Sequence, residues 1–283
     1  MQIEASIKKP SDIGLFLRSG WQIIWKEKII FLFGGLSSIS ALIHFLLPPQ
    51  NIIWISWSEG LLSFILLPIT PIAVTFIAYC AALGEPFSIR KTLQVIRKAF
   101  WKVIAIFILM TILIVLVILS VGIISSFRQP PQFSNLLPIA YWVSLPLSIF
   151  SAVWYFSLAE IVVSNSEIRK SIKNAWAMFN AHLFTLQALG ILLWVANQLG
   201  SLILSMTATL IQSNFDPASL AAFNYLTPSA GLMNNALYQL VFALWGTIRG
   251  ALIISSFICA YVKYSQIKPV DGEIEAQLES QRS

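Results

Sequence analysis

The chain has 283 residues, of which 57% are hydrophobic and 11% charged, and its formal net charge is +6. A soluble domain carries roughly a quarter charged residues, so the composition describes a polytopic membrane protein, with no polar block long enough for a separate soluble catalytic domain. The basic residues sit beside apolar runs rather than on a polar face, a placement that orients a protein in a membrane and excludes nucleic acid as the expected partner.

Residues 1–10 are a polar start, after which Ser11 heads an amphipathic helix with Ile13, Leu17, Trp21 and Ile24 on its apolar side. A first span is expected from Ile29 to Leu47. It is longer than a signal-peptide core and runs into Pro48 and Pro49 instead of a small-residue cleavage site, so it is read as uncleaved. A short outer segment with Trp54 and Trp57 leads to span two, Gly60 to Leu83, which carries Pro68 and Pro71 and stops at Gly84, Glu85 and Pro86.

A second amphipathic stretch begins at Phe87. Ile89, Leu93, Ile96 and Phe100 share one stripe, opposite Arg90, Gln94, Arg97 and Lys98. It is expected to lie in the membrane surface and then to enter a 24-residue run without charge, Val103 to Ser126. A loop at 127–136 returns the chain to span four, Leu137 to Val163. Ser164, Asn165, Ser166 and Glu167 match the Ser-x-x-Glu capping box of a third surface helix, with Ile168, Ile172, Ala175 and Phe179 on one side. Span five is expected from Leu183 to Gln212, a long outer loop at 213–235, span six from Ala236 to Val262, and a polar tail at 265–283. Cys80 and Cys259 fall inside spans, with neither a disulfide framework nor metal-ligand spacing, and read as small apolar filler.

Charge tests this division. Sixteen of the eighteen Lys and Arg residues fall on one side of a six-span arrangement, leaving Arg128 in an outer loop and Arg249 inside span six. Both termini are therefore placed in the cytoplasm. The tryptophans agree, with Trp21, Trp25, Trp101 and Trp176 near the inner boundary and Trp54, Trp57 and Trp142 near the outer one.

A short pattern recurs in the three surface helices: Leu17-Arg18-Ser19-Gly20-Trp21, Ile96-Arg97-Lys98-Ala99-Phe100 and Ile172-Lys173-Asn174-Ala175-Trp176. A second anchor lies in the even spans, at Leu67-Pro68-Ile69-Thr70, Leu145-Pro146-Leu147-Ser148 and Leu244-Trp245-Gly246-Thr247. These define three copies of one module (surface helix, span, outer turn, span), with units at 11–86, 87–163 and 164–264 of a single membrane domain, 11–264. In each module a basic stripe faces anionic inner-leaflet lipid; Arg90, Lys91, Arg97, Lys98, Arg169, Lys170 and Lys173 are the expected contacts. Setting topology and bracing the bundle accounts for these helices more simply than a specific lipid-sensing role.

Candidate chemistry gathers at Arg249, the one charge in the middle of a span, which must face protein or water. Its counterparts in the other even spans are Ile72 and Phe150. Asn197 and Gln198 lie near its depth, while Glu160, near the inner end of span four, is a further embedded acid available for ligand or proton binding. The set Arg249, Asn197, Gln198 and Glu160 is the candidate ligand site, and a hydrogen-bonded lock between helices is the simpler alternative. His44 and His182 lie near opposite boundaries, too far apart to share a metal. No metal site, cofactor or catalytic motif is found: there is no His-Glu-x-x-His, no Gly-x-Ser-x-Gly and no phosphate-binding glycine loop.

At the repeated aliphatic–basic–any–small–aromatic pattern followed by long spans, the chain resembles prokaryotic six-span membrane proteins. That group includes the membrane domain attached to some glycerophosphodiester phosphodiesterases. The attached enzyme is a separate soluble barrel that nothing in this chain encodes, so the resemblance implies neither that activity nor any functional residues. The expectation is an all-α integral protein of the cytoplasmic membrane with six spans in three units, each preceded by a cytoplasmic-side amphipathic helix. Its expected role is non-enzymatic: a scaffold or accessory subunit engaging anionic lipid and other membrane proteins. The alternative is a small-solute or lipid transporter built around Arg249.

Overall fold

Long apolar runs bury their own backbone, whose N–H and C=O groups then have to be paired within each segment, as a helix does. The computed structural model describes residues 11–36, 52–126, 151–212 and 236–266, and all eight elements among them are α-helices. They are α1 Ser11–Lys26, α2 Ile29–Leu36, α3 Ile52–Leu83, α4 Ile89–Ser126, α5 Ser151–Ser164, α6 Ile168–Ala181, α7 Leu183–Gln212 and α8 Ala236–Gln266. Expectations for 1–10, for the rest of span one with His44, Pro48 and Pro49, for the loops at 127–136 and 213–235, for the start of span four and for the tail beyond Gln266 lie outside the described residues. Within them, Leu183–Ile211 and Leu240–Ser265 are long and apolar enough to cross a membrane, and Pro68–Leu83 and Ser151–Ser164 are shorter apolar helical stretches.

Helix ends follow local chemistry. Gly84, at φ +74°, closes α3 by the two-bond turn that a left-handed residue permits: Gly84 N–H donates to Ala81 C=O and Glu85 N–H to Cys80 C=O. Ser88 caps α4, its Oγ accepting from Lys91 N–H at 3.2 Å. The expected capping box at Ser164–Glu167 does not form. Ser164 ends α5, and Glu167 is the residue that precedes α6, without a side-chain bond to the helix. The turn is held instead by Lys102, whose ammonium reaches Asn165 O and Oδ1, both at 2.8 Å, and Ser166 O at 3.3 Å. Asn165 takes a left-handed φ of 49°, which a short amide side chain tolerates.

Three further expectations change. The segment before Gly60 is not a loop, because α3 already begins at Ile52 and continues through Pro68 and Pro71. The second surface helix is not separate either, since α4 is one helix across the surface segment and the apolar run. A single buried stripe (Thr92, Ile96, Ala99, Val103 and Ile106) crosses the expected junction, so the same side keeps contact with protein on both halves. Ile89 and Leu93, on the expected apolar stripe, stay exposed. The first and third surface helices do end, α1 at Lys26 and α6 at Ala181, each five residues after its aromatic, Trp21 or Trp176. Finally, α1, expected as a surface helix, packs along α8: Asp12 pairs with Lys263, Phe16 meets Tyr264 edge-on, and Gly20 abuts Ser256.

The packing has an order. Helices α3, α5 and α8 pack pairwise on one another. Against this inner triangle, α2 contacts α3 and α8, α4 contacts α3 and α5, and α7 contacts α5 and α8. The amphipathic helices α1 and α6 pack chiefly on α8 and α5 respectively. Burial marks the inner faces at Val74, Ala78 and Cys80 of α3, at Ala152, Phe156 and Leu158 of α5, and at Ala251, Ser255 and Phe257 of α8.

Candidate functional site

Helix α8 carries the polar groups that matter, at two levels. Near the middle, Arg249 Nη1 donates to Asn197 Oδ1 of α7 at 2.8 Å. Because guanidinium offers only donors, the bonded atom of Asn197 must be its oxygen, and the amide NH2 points elsewhere. Gln198 is half-buried next in sequence and takes no part in that bond. Asn197 lies fourteen residues from either end of Leu183–Ile211, at mid-depth of the apolar helix.

Towards the other end of α8, Glu160 of α5 is 5% exposed and holds two donors. Tyr261 O–H donates to Oε1 at 3.1 Å and Asn174 Nδ2 to Oε2 at 3.3 Å. A buried carboxyl group without such donors would carry the full cost of lost hydration. The arrangement therefore fastens α5, α6 and α8 at one point. Aromatic contacts surround it, with Phe156 edge-on to both Phe257 and Tyr261.

The four residues expected to share a ligand site are thus divided. Twelve positions of α8 separate Arg249 from Tyr261, a rise of about 18 Å, so Glu160 serves a different site. Two threonines of α3 lie apart from that bond: Thr70 donates to Phe33 O at 3.0 Å, and Thr75 Oγ1 is buried without a partner. Ser148 lies outside the described residues. No protein family, curated protein or solved structure matches the chain. Chemistry therefore has to be read from the groups themselves.

Among the described residues no cluster of His, Cys, Asp and Glu has the makings of a metal site. The ion pair described is Lys263 with Asp12 at 2.9 Å, at the end of α8, where Lys263 also sits 5.5 Å from the Phe16 ring centre and Tyr264 stacks on His182. That leaves Arg249 with one described hydrogen bond, to a neutral amide, the Tyr155 hydroxyl of α5 as an electrostatic neighbour, and no carboxylate partner among the described residues. The seven lysines and arginines expected at the lipid surface (Arg90, Lys91, Arg97, Lys98, Arg169, Lys170 and Lys173) are all exposed.

Sequence reasoning did not find Tyr261, Asn174, Lys102 or Trp245. For the first two a signal existed: a buried acid needs two donors, and Asn174 lies in the repeated pattern that placed α6. Lys102 was counted only as one of many cations.

Proposed function

We propose that the chain is a six-span protein of a prokaryotic cytoplasmic membrane, made of three copies of one module with both termini inside. It acts without catalysis, as a scaffold or accessory subunit engaging anionic inner-leaflet lipid and other membrane proteins. Its proposed relatives are the six-span proteins it resembles at the Leu17–Trp21, Ile96–Phe100 and Ile172–Trp176 patterns. Support for the three copies comes from the helix contacts. Each outer helix lies against the inner helix of its own unit and that of the unit before, with α2 reaching α8 to close the ring. The repeated pattern also has one burial profile: Gly20, Ala99 and Ala175 are buried, while Arg18, Arg97 and Lys173 are exposed.

The observation that carries the lipid role is that α4 and α6 each dock one stripe on the protein and leave Arg90, Lys91, Arg97, Lys98, Arg169, Lys170 and Lys173 exposed. At ~1 kcal/mol per basic residue near an anionic surface, four on α4 contribute roughly 4 kcal/mol to holding its hairpin inside-first. Replacing Arg90, Lys91, Arg97 and Lys98 together by Gln is expected to invert or release the α4 hairpin in topology reporters. An unaltered orientation would end this account of the basic helices.

A second reading, transport of a small solute or lipid through the polar middle, is favoured by the incomplete pairing of Arg249. Thiol reagents reaching cysteines introduced beside Arg249 from both sides of the membrane would support it, and a core closed to them would leave the scaffold.

A further inference from the structure

The contacts between α7 and α8 keep one antiparallel register. Asn197 meets Arg249, Gly200 meets Trp245, and Ser205 meets Tyr238 Oη at 3.2 Å. Moving up α7 from residue 197 to 205, the partners move back along α8 from 249 to 238. The seam therefore runs from the middle of both helices towards the N-terminal end of α8, and an arginine side chain leans in that same direction.

Two groups in the seam have N–H hydrogens left without a described acceptor. Arg249 has five N–H donors, and a single bond to Asn197 is described. Trp245, one turn earlier on the same face of α8, presses its ring against Gly200 so closely that no side chain fits there. Its Nε1–H is buried and has no hydrogen-bond partner. The Asn197 amide contributes a third free donor, because its oxygen is taken by Arg249. Indole and guanidinium can only donate. What the seam lacks is an acceptor, and a guanidinium in an apolar helix with no described carboxylate near it lacks a negative charge as well. One anionic oxygen group supplies both. Glu160 cannot, being about 18 Å along α8 and already held by Tyr261 and Asn174.

We propose that the α7–α8 seam binds an anionic oxo group, a carboxylate or a phosphate, between Arg249, Trp245 Nε1 and the Asn197 amide. Phe242 lies on the same face of α8, one turn beyond Trp245, and is exposed, with Val241 exposed beside it. The outer part of the seam therefore offers apolar surface next to the donors, suited to the chain of an acidic amphiphile. The proposal rests on α8 crossing the bilayer but not on the scaffold role.

The test uses the purified full chain in a neutral detergent and a fluorescent long-chain fatty acid, displaced in turn by palmitate, phosphatidic acid and inorganic phosphate. Wild-type protein is expected to bind the probe saturably. Arg249→Gln should weaken binding at least about tenfold, the loss of a charge-assisted contact. Replacing Trp245 by 3-benzothienylalanine, which keeps a fused bicyclic ring against Gly200 and exchanges only the N–H for sulfur, should weaken it several-fold with thermal unfolding unchanged. Displacement by inorganic phosphate supports the site with a free oxyanion as sufficient occupant; displacement by the amphiphiles alone supports it with the tail required. No saturable binding to the wild type, or wild-type affinity in both Arg249→Gln and the benzothienylalanine variant, overturns the proposal. Release of the protein from vesicles by alkaline carbonate would separately overturn the membrane placement on which it rests.

Discussion

The docking of α1 on α8 can be tested by adding one methyl group at either of two glycines in the same helix. At Gly20 a Cβ would lie 2.6 Å from Ser256 Oγ and 2.9 and 3.0 Å from the backbone N and Cα of Ser256. The hydroxyl can rotate away, but the backbone atoms cannot, so α1 and α8 must separate. Overpacking of this kind costs about 1–3 kcal/mol. At Gly14, exposed on the same helix, a Cβ meets nothing within 4 Å. There the substitution brings only the helix preference of Ala over Gly, about 0.8–1 kcal/mol in favour of folding. Gly20→Ala receives that gain too, so the difference between the two variants, about 1–3 kcal/mol, isolates the contact. Reversible unfolding of the full chain in mixed micelles should show Gly14→Ala slightly stabilised and Gly20→Ala falling below it by that amount. If the two variants unfold together, α1 does not sit against Ser256, and the docking of α1 on α8 fails with it.

Tyr261→Phe should destabilise the fold by about 1–3 kcal/mol, the cost of leaving a buried acceptor unsatisfied, because Glu160 Oε1 would lose its donor. In a Glu160→Leu background the same change should cost little, and an undiminished cost would show that Tyr261 acts by packing instead. Gly84→Ala tests the end of α3. A Cβ there meets nothing, yet φ is +74°, so the expected loss of about 1–2 kcal/mol is purely a backbone effect. An unchanged unfolding midpoint would show that the α3 terminus adjusts freely.

Much of the helical layout was readable because apolar length and helix punctuation are local signals. Gly84, Glu85 and Pro86 ended α3 as expected, and the limits of span five coincide with α7, Leu183–Gln212. Expectations drawn from amphipathicity alone were less accurate. A stripe such as Ile89, Leu93, Ile96 and Phe100 shows which side is apolar, not whether lipid or protein will cover it. Only Ile96 of these four is fully buried, while Thr92 and Ala99 belong to the protein contact because small side chains let helices approach. The Ser-x-x-Glu match at Ser164 failed because its residues end one helix as well as starting the next. In the candidate site, Asn197 was placed near the depth of Arg249 and the two are hydrogen-bonded, but Glu160, grouped with them, is held by Tyr261 about 18 Å along α8. Helical rise could not reveal Tyr261 or Trp245, whose roles depend on which helices are neighbours.

The position of Arg249 within the proposed repeat sharpens the case for a ligand. In the corresponding place on α3 stands Ile72, which is fully buried, so apolar packing alone suffices there. An arginine at the middle of a spanning helix costs about 2.5–3.5 kcal/mol on insertion scales and more in simulation. Hydrogen bonds between helices in a membrane average about 0.6 kcal/mol, and a neutral amide oxygen neutralises no charge. The bond to Asn197 therefore joins α7 to α8 but does not offset the cation that makes it. If Arg249 were only a lock, Arg249→Leu together with Asn197→Leu should leave the protein at least as stable as before, because a charge is removed and two apolar side chains meet. It should also leave amphiphile binding untouched. A pair of leucines that stabilises the fold while abolishing binding would instead show that the cost of the guanidinium is met by an anion from outside the chain.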